Sequence, residues 1–339
     1  MIRKDLVMEV GNHHAVGREN GYTLHGYVWT PDTIPVTSVI HVVHGMTEHM
    51  GRYEKFAERM TEVGIAVAGY DLRGHGRNAG DPNVASFISG AVKNNAEIGI
   101  KDYGWKNMVW EVRRASLEIR GMFPEADHYI MGFSLGSFLV RDCMIEGHLS
   151  GLKGIILMGT GFQPSVITSL MQKLIFKEIK LAGEGKTTDK VKDLAFGTYN
   201  KKFIPIRTDF DWLCSDANEL CTYMNDPLVR KDISADLFYE MIGSINRTCK
   251  KSGYYNSSLQ ETPVLLISGW EDPVGGMGNG VKSVYKLFKC AGLRRVKMIR
   301  IAKSRHDLLH EYENGGACSA IIDIINWIGG TKVGCDVMF

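Results

Sequence analysis

The stretch "YIMGFSLGS" at residues 129–137 places Ser134 between two glycines, directly after an apolar run. Glycine weakens helices and strands alike, so a pair of glycines here indicates a turn too tight for side chains. The apolar residues on both sides predict a strand, this turn and then a helix, a setting that holds a serine hydroxyl exposed. With 38 glycines in 339 residues, the pattern G-x-S-x-G arises by chance with odds of roughly one in four. Ser134 is therefore a candidate nucleophile that needs partners.

A serine hydroxyl requires a base to take its proton and a carboxylate to orient that base. The stretch "SGWEDPVG" at 268–275 supplies Asp272 after one apolar run, and "KSRHDLLHE" at 303–311 supplies His306 after the next. Because parallel strands bring their carboxyl ends to one edge of a sheet, residues in three such loops can meet there. We predict Ser134 as nucleophile, His306 as its base and Asp272 as the orienting acid.

Attack by a serine also requires backbone N–H groups that stabilise the oxyanion. The N–H of Leu135, directly after the serine, is one candidate. The loop after "VIHVVHG" is the other source, because Gly45 lets the backbone turn sharply and the N–H of Met46 can face the site. We predict that these two N–H groups form the oxyanion hole.

The acid has alternative interpretations. Asp272 precedes a proline, a common arrangement for a turn aspartate, and Glu271 and Asp307 are its nearest rivals. Asp307 adjoins the predicted base and would more naturally act as a local hydrogen-bonding or capping group.

Several histidines have other interpretations. His306 and His310 stand four apart, a spacing that could hold a metal on a helix, but aspartate replaces the glutamate of the H-E-x-x-H pattern. We therefore expect no catalytic metal and no cofactor. His44, His49 and His75 are expected to pack loops by hydrogen bonding to backbone.

The elements that must position these residues follow from apolar periodicity. Short β-branched and apolar runs predict strands buried on both faces of a parallel sheet, at 38–45, 64–74, 128–134, 154–159, 263–269 and 296–302. Apolar residues at three- and four-residue steps between Trp105 and Met122 predict an amphipathic helix. Strands that alternate with helices indicate an α/β fold. The alternating run at 22–31 predicts an antiparallel edge strand.

One interval lacks strong strand runs. We predict a helical insertion at 161–257, between core segments 1–160 and 258–339. Its apolar residues follow helical spacing, and we expect some of them to line a pocket for an acyl chain: Ile167, Leu170, Met171, Leu174, Ile175 and Phe176.

Composition limits the function classes. A formal net charge of +2 produces no strong positive potential that would attract nucleic acid, so no nucleic-acid partner is expected. The seven cysteines include no C-x-x-C pair and are interpreted as reduced thiols. The N-terminal apolar run is too short for a signal peptide, and no run approaches a membrane span, so we predict a cytoplasmic protein.

Four stretches together resemble a known family, the serine hydrolases of monoacylglycerol lipase and lysophospholipase type within the α/β-hydrolase superfamily, which includes serine aminopeptidase S33-like proteins. They are "HGMTEHMGRY" at 44–53, "GYDLRGHGRNAG" at 69–80, the serine stretch, and "GWEDPVGGMGNGV" followed by "SRHDLLHE". The resemblance implies the α/β-hydrolase fold, with a mostly parallel central sheet flanked by helices and a helical cap inserted between strands. It also implies the roles predicted above for Ser134, Asp272, His306, Met46 and Leu135.

The resemblance implies a serine ester hydrolase whose substrate is a small ester with a single acyl chain. The lysines from Lys173 through Lys202 are interpreted first as a solvated helix surface, and transient contact of the cap with a membrane surface is the alternative. Phe133, Leu135 and His310 depart from the commoner family residues, which leaves the pocket's shape and substrate open. The alternatives are an aminopeptidase or amidase of the same superfamily, and a non-catalytic ligand-binding protein on the same fold. The oligomeric state is not predicted.

Overall fold

The structure is a computed structural model that describes residues 1–10, 22–87, 104–255 and 259–333. Within these residues, a central sheet of eight strands lies in the order β1-β2-β4-β3-β6-β7-β9-β10. Those strands are β1 (Ile2–Val10), β2 (Tyr22–Thr30), β3 (Ser38–Val43), β4 (Ile65–Tyr70), β6 (Asp127–Phe133), β7 (Gly154–Met158), β9 (Val264–Gly269) and β10 (Val296–Ile301). A second, two-stranded sheet pairs β5 (Val84–Ala85) with β8 (Asp232–Ile233).

The six predicted parallel strands are confirmed. From β4 across to β10, neighbouring strands pair in parallel. Every residue of β3, β4 and β9 is buried, which explains their unbroken apolar runs.

The prediction of an edge strand at 22–31 was wrong in one respect. Strand β2 is antiparallel, but it pairs on both sides, with β1 and with β4. The edge strand is β1, whose Leu6, Met8 and Val10 are buried while the residues between them are exposed. This period of two was the available signal.

Helices cover both faces of the sheet, as an α/β fold requires. One face packs against α2 (Gly104–Met122), α3 (Leu135–Ile145) and α8 (Asn279–Cys290), and the other against α1 (Glu54–Thr61) and α9 (Gly316–Val333). The predicted amphipathic helix is α2, which buries Trp105, Met108, Val109, Val112 and Ile119. The fold is therefore the α/β-hydrolase arrangement that the resemblance implied.

The chain between β7 and β9 is mainly helical, and we call residues 161–255 the insertion. It contains α4 (Ser165–Ala182), α5 (Asp189–Ala195), α6 (Ala217–Asn225) and α7 (Ala235–Thr248), and it also contributes the short strand β8, which was not predicted. The predicted end of this unit at 257 lies outside the described residues, and the division into core and insertion remains a prediction.

In the described ranges, no helix combines the length and the apolar character that crossing a membrane requires. The cysteines described there are free, as predicted: Cys143, Cys214, Cys221, Cys249, Cys290 and Cys318. The seventh, Cys335, lies outside the described residues.

Candidate active site

Ser134 stands at the turn between β6 and α3. Its backbone has φ 51° and ψ −116°, a conformation that costs energy for a residue with a side chain. The turn is closed tightly on both sides, because a Cβ at Gly132 would lie 2.5 Å from the carbonyl oxygen of Gly136, and one at Gly136 would lie 2.0 Å from that of Val43. The two glycines thus have the steric role that the sequence predicted, and the serine hydroxyl remains half-buried at the sheet edge.

His306 lies in the loop after β10 and contacts both predicted partners. Its Nε2 is 2.8 Å from Ser134 Oγ, and its Nδ1 is 2.9 Å from Asp272 Oδ1. An ionised carboxylate only accepts hydrogen bonds, so Nδ1 carries the proton and Nε2 is free to accept one from the serine hydroxyl. The structure therefore brings the three predicted side chains into one hydrogen-bonded chain.

Asp272 is fully buried after β9. Besides His306, its carboxylate accepts hydrogen bonds from the backbone N–H of Val274 at 2.8 Å and from Ser268 Oγ at 3.1 Å. Three donors compensate the carboxylate for lost water and hold it in one orientation. Ser268 was not predicted, although it stands in the stretch that identified Asp272.

The two predicted oxyanion donors flank the serine. Leu135 is the first residue of α3, and Met46 follows Gly45 in the loop after β3. Neither N–H donates a hydrogen bond to another residue of the described chain. Both donors remain available to a ligand next to Ser134.

A buried ionic network supports the oxyanion loop. Glu48 accepts hydrogen bonds from the Gly45 N–H at 2.5 Å and from Tyr53 Oη at 2.8 Å, and Arg52 bridges Glu48 and Asp307 at 2.5 Å and 2.8 Å. Burial opposes the charge on Arg52, but the two carboxylates outweigh it and raise its pKa. The sequence analysis missed this network, although "HGMTEHMGRY" contains most of it.

Whereas the Nδ1 of His306 contacts Asp272, the carboxylate of Asp307 pairs with Arg52 and His310. Burial alone would raise its pKa, but its contacts with His310 and Arg52 hold the pKa well below the usual range. The Nδ1 of His310 donates to Asp307 Oδ1 at 2.8 Å, and its Nε2 lies 3.2 Å from the carbonyl oxygen of Arg52. The ring nitrogens of His306 and His310 thus face different partners and do not converge on one point.

The three loop histidines behave largely as predicted. Nδ1 of His44 contacts the Gly45 carbonyl at 2.7 Å, its Nε2 accepts from Leu72 N–H at 2.8 Å, and His75 Nδ1 contacts the Arg73 carbonyl at 2.9 Å. His49 departs from the prediction.

His49 accepts from the Gly51 N–H at 3.1 Å, but its Nε2 also contacts Asp226 of the insertion at 2.8 Å. This contact joins the oxyanion loop to the insertion. For His49 the sequence predicted hydrogen bonds to backbone only.

A cavity of about 30 Å³ opens beside Ser134. Most of its apolar wall comes from the insertion, and Met46 and Phe133 of the core complete it; the insertion residues are Phe196, Phe210, Trp212, Leu213 and Tyr223. The predicted acyl-pocket residues of α4 do not line it: Ile167, Leu170 and Phe176 are exposed, and Ile175 packs into the core beneath. Helical spacing alone does not tell which face of α4 turns toward the site.

Trp212 is the most direct contribution of the insertion to the triad. Its ring centroid lies 5.4 Å from that of His306, and Phe133 lies 4.9 Å away. Two aromatic rings thus contact the imidazole and restrict its rotation. Phe133 was noted only as a departure from the family pattern, and Trp212 was missed.

Comparison with known proteins places the chain among hydrolases. The sequence model described as Serine aminopeptidase, S33 matches residues 35–313. A monoglyceride lipase homolog from Monkeypox virus is 24% identical over 311 residues, which cover 91% of this chain and 95% of that protein. The monoglyceride lipase of Homo sapiens is 23% identical over 321 residues, which cover 93% of this chain and 89% of that protein.

A solved structure agrees with the fold. The crystal structure of a highly thermostable carboxyl esterase from Bacillus coagulans has a TM-score of 0.78 at 22% identity, over 98% of this chain and 99% of that chain. Such a likeness at this identity shows a shared fold.

Proposed function

Because the chain belongs to the serine aminopeptidase S33 family and is a hydrolytic enzyme, we propose that it is a serine carboxyl-ester hydrolase acting on small single-chain esters such as monoacylglycerols or lysophospholipids. The observation that carries the proposal is the hydrogen-bonded chain from Ser134 through His306 to Asp272. The monoglyceride lipases among its relatives and the esterase with the same fold support the choice of an ester.

The reaction proceeds through an acyl-enzyme intermediate. Ser134 Oγ attacks the ester carbonyl carbon while its proton passes to His306 Nε2, and Asp272 stabilises the resulting imidazolium. The N–H groups of Met46 and Leu135 hold the oxyanion. When the intermediate collapses, His306 returns the proton to the departing alcohol. Water, deprotonated by the same nitrogen, then releases the acid and restores Ser134.

The insertion acts as a cap over the site in this proposal. Its aromatic residues form the apolar wall of the cavity, the side on which an acyl chain gains free energy from burial. The present cavity of about 30 Å³ has room for only a few atoms. Substrate entry therefore requires movement of the cap or of its side chains.

The cap also supplies a surface for transient membrane contact. Helix α4 exposes Val166, Leu170, Phe176 and Leu181, beside lysines that suit anionic headgroups. Leu170→Glu should reduce sedimentation with phosphatidylglycerol vesicles, whereas Leu117→Glu, an exposed leucine of α2, should not. Equal binding by both variants would remove the membrane part of the proposal. The free cysteines suit a cytoplasmic location.

The family description raises peptide hydrolysis as a second activity, and the cavity argues against it. An aminopeptidase needs an available carboxylate to bind the free amino terminus. Within the described chain, Glu48 is the one carboxylate that lines the cavity, and Arg52, Tyr53 and the Gly45 N–H already occupy it. Esters are therefore the better substrates.

The test combines a covalent probe with a substrate panel. A fluorophosphonate should label the wild-type protein and not Ser134→Ala, and p-nitrophenyl esters should turn over faster than aminoacyl-naphthylamides. Absence of labelling would favour a non-catalytic ligand-binding protein. Faster turnover of the naphthylamides than of every ester would favour the aminopeptidase.

A further inference from the structure

The cavity beside Ser134 is lined by charged side chains as well as by its aromatic wall. Among the described residues, three formally charged side chains line it, from Glu48, Arg52 and Lys231. The first two pair with each other, and Arg52 also binds Asp307 and lies over the ring of Tyr223 at 4.7 Å. Glu48 accepts three hydrogen bonds and Arg52 binds two carboxylates, so both side chains are already engaged within the protein.

Lys231 differs from them. It is exposed, and no carboxylate of the described residues lies within 4.0 Å of its ammonium group. Its neighbours are already engaged: Asp232 pairs with Lys192 at 2.9 Å, and the guanidinium of Arg230 donates to the backbone carbonyls of Gly76, Pro82 and Pro227. Lys231 is the cation of the cavity that a ligand can still pair with.

The backbone around Lys231 is held firmly against the oxyanion loop. The Arg230 N–H donates to the Thr47 carbonyl at 2.7 Å, and the Lys231 N–H donates to the Asn83 carbonyl at 2.9 Å. The next two residues form β8, which pairs with β5. Since Thr47 follows the predicted oxyanion donor Met46, the base of the lysine side chain has a fixed position next to the reacting centre, and only its aliphatic arm moves.

We infer that Lys231 selects esters that carry an anionic group, such as a phosphate, on the alcohol part. This inference rests on the proposed ester hydrolysis. Hydrocarbon is best buried against the aromatic wall, which assigns the acyl chain to that side. A charged group keeps part of its hydration, so it suits the exposed side where Lys231 lies. The alcohol part of the substrate therefore faces the lysine.

The expected size of the preference for anionic esters follows from the exposure of Lys231. An ion pair near solvent is weak, and one with partial loss of water is stronger, so the preference should amount to about 3- to 30-fold in kcat/KM. Salt screens such a pair, and the preference should decrease as ionic strength increases.

The experiment uses water-soluble substrates of one chain length. 1-Hexanoylglycerol and 1-hexanoylglycerol 3-phosphate differ only by the phosphate, and p-nitrophenyl hydrogen glutarate with p-nitrophenyl pentanoate tests a charge on the acyl part instead. Lys231→Gln should lower the phosphate-to-neutral ratio of kcat/KM about 3- to 30-fold, Lys231→Glu should lower it further, and Lys231→Arg should restore it. Lys282→Gln, an exposed lysine of α8, is the matched control.

Two results overturn the inference alone: a ratio unchanged in Lys231→Gln while the wild type hydrolyses hexanoylglycerol, or a change confined to the glutarate ester. Failure of the proposed function looks different. In that case no ester is hydrolysed and the fluorophosphonate does not label Ser134 in any variant.

Discussion

The sheet edge and the insertion meet at Ser134 but contribute in different ways. At the sheet edge, backbone geometry places Ser134, Asp272 and His306 in the loops after the parallel strands β6, β9 and β10, and hydrogen bonds connect them. The insertion contributes packing and charge instead, through Trp212 against the imidazole and Lys231 at the cavity. On the proposed function, the sheet edge carries out the chemistry and the insertion selects the substrate.

The largest expected effect is at the sheet edge. Ser134→Ala and His306→Ala should each lower ester turnover by about 10⁴-fold or more, and the double variant should be little worse, because the residues act as one unit. Hydrolysis of p-nitrophenyl butyrate measures it, with Ser283→Ala on α8 as control. A tenth of wild-type activity in Ser134→Ala would exclude it as nucleophile.

Asp272→Asn should reduce turnover by about 10³- to 10⁴-fold, because the amide no longer holds His306 in the tautomer that accepts at Nε2. Ser268→Ala removes one hydrogen bond to the same carboxylate at 3.1 Å and should cost much less. Steady-state kinetics of both variants distinguishes the orienting acid from its support. Comparable losses in the two variants would contradict the proposal that Asp272 fixes the tautomer of His306.

Acid should destabilise the core more than the insertion, because residues 161–257 contain no histidine. Burial lowers the pKa of His41 to about 3, that of His44 to about 4 and that of His75 to about 3. Below pH 6.5 the unfolded chain therefore binds protons that the folded chain does not. The free energy of unfolding should decrease by about 1.4 kcal/mol per pH unit for each imidazole between about pH 6 and pH 4.

The sharpest variant is His41→Leu, since His41 Nδ1 is buried and has no hydrogen-bond partner in the described chain. This substitution should reduce the pH dependence of the free energy of unfolding by the contribution of one imidazole, and it removes no hydrogen bond at Nδ1. Urea unfolding from pH 7 to pH 4.5 provides the measurement. Equal slopes for the wild type and His41→Leu would contradict this account of acid sensitivity.

The smallest effect concerns the junction of the two regions. Arg141 of α3 is fully buried and donates to the carbonyls of Gly161 and Thr248, at the two ends of the insertion, at 2.9 Å and 2.6 Å. Arg141→Met removes both hydrogen bonds, which leaves the Gly161 carbonyl without this donor while the Thr248 carbonyl keeps the hydrogen bond from Tyr254 Oη at 2.7 Å, and should lower the free energy of unfolding by about 2 kcal/mol.

Arg247→Met is its matched control at the same junction. Arg247 is half-exposed and pairs with Asp142 at 2.9 Å, so its loss should cost less than about 1 kcal/mol. Urea unfolding compares the two variants. A larger loss in Arg247→Met would show that surface charge, and not the buried guanidinium, joins the insertion to the core.

The sequence predicted the sheet edge well because its signals are local. The glycines around Ser134 report a backbone too crowded for side chains, and the apolar runs before Asp272 and His306 report strands buried on both faces. Strand β1 was not predicted, although the apolar residues Leu6, Met8 and Val10 recur at every second position, because the segment was considered only as a signal peptide. Part of the environment of Asp272 could be predicted, since its hydrogen-bond donor Ser268 stands four residues before it in the chain.

The insertion was predicted as helical but not in its orientation. Periodicity identified the apolar residues of α4, yet Leu170 and Phe176 face away from the cavity, and the wall is formed by Phe196, Phe210 and Trp212 from irregular segments and helix ends. Amphipathic spacing shows that a helix has an apolar face and does not show what covers that face.

The sequence by itself therefore determined the fold class, the candidate triad and the order in which its members occur, because tight turns and buried strands restrict residue types along consecutive positions. Only the tertiary structure decided that Trp212 contacts His306, that Glu48 and Asp307 share Arg52, and that Lys231 has no carboxylate partner among the described residues. Apart from the pair of Glu48 and Arg52, those contacts join residues far apart in the chain. They depend on side-chain packing and charge neutralisation, which leave no periodic pattern in a single sequence.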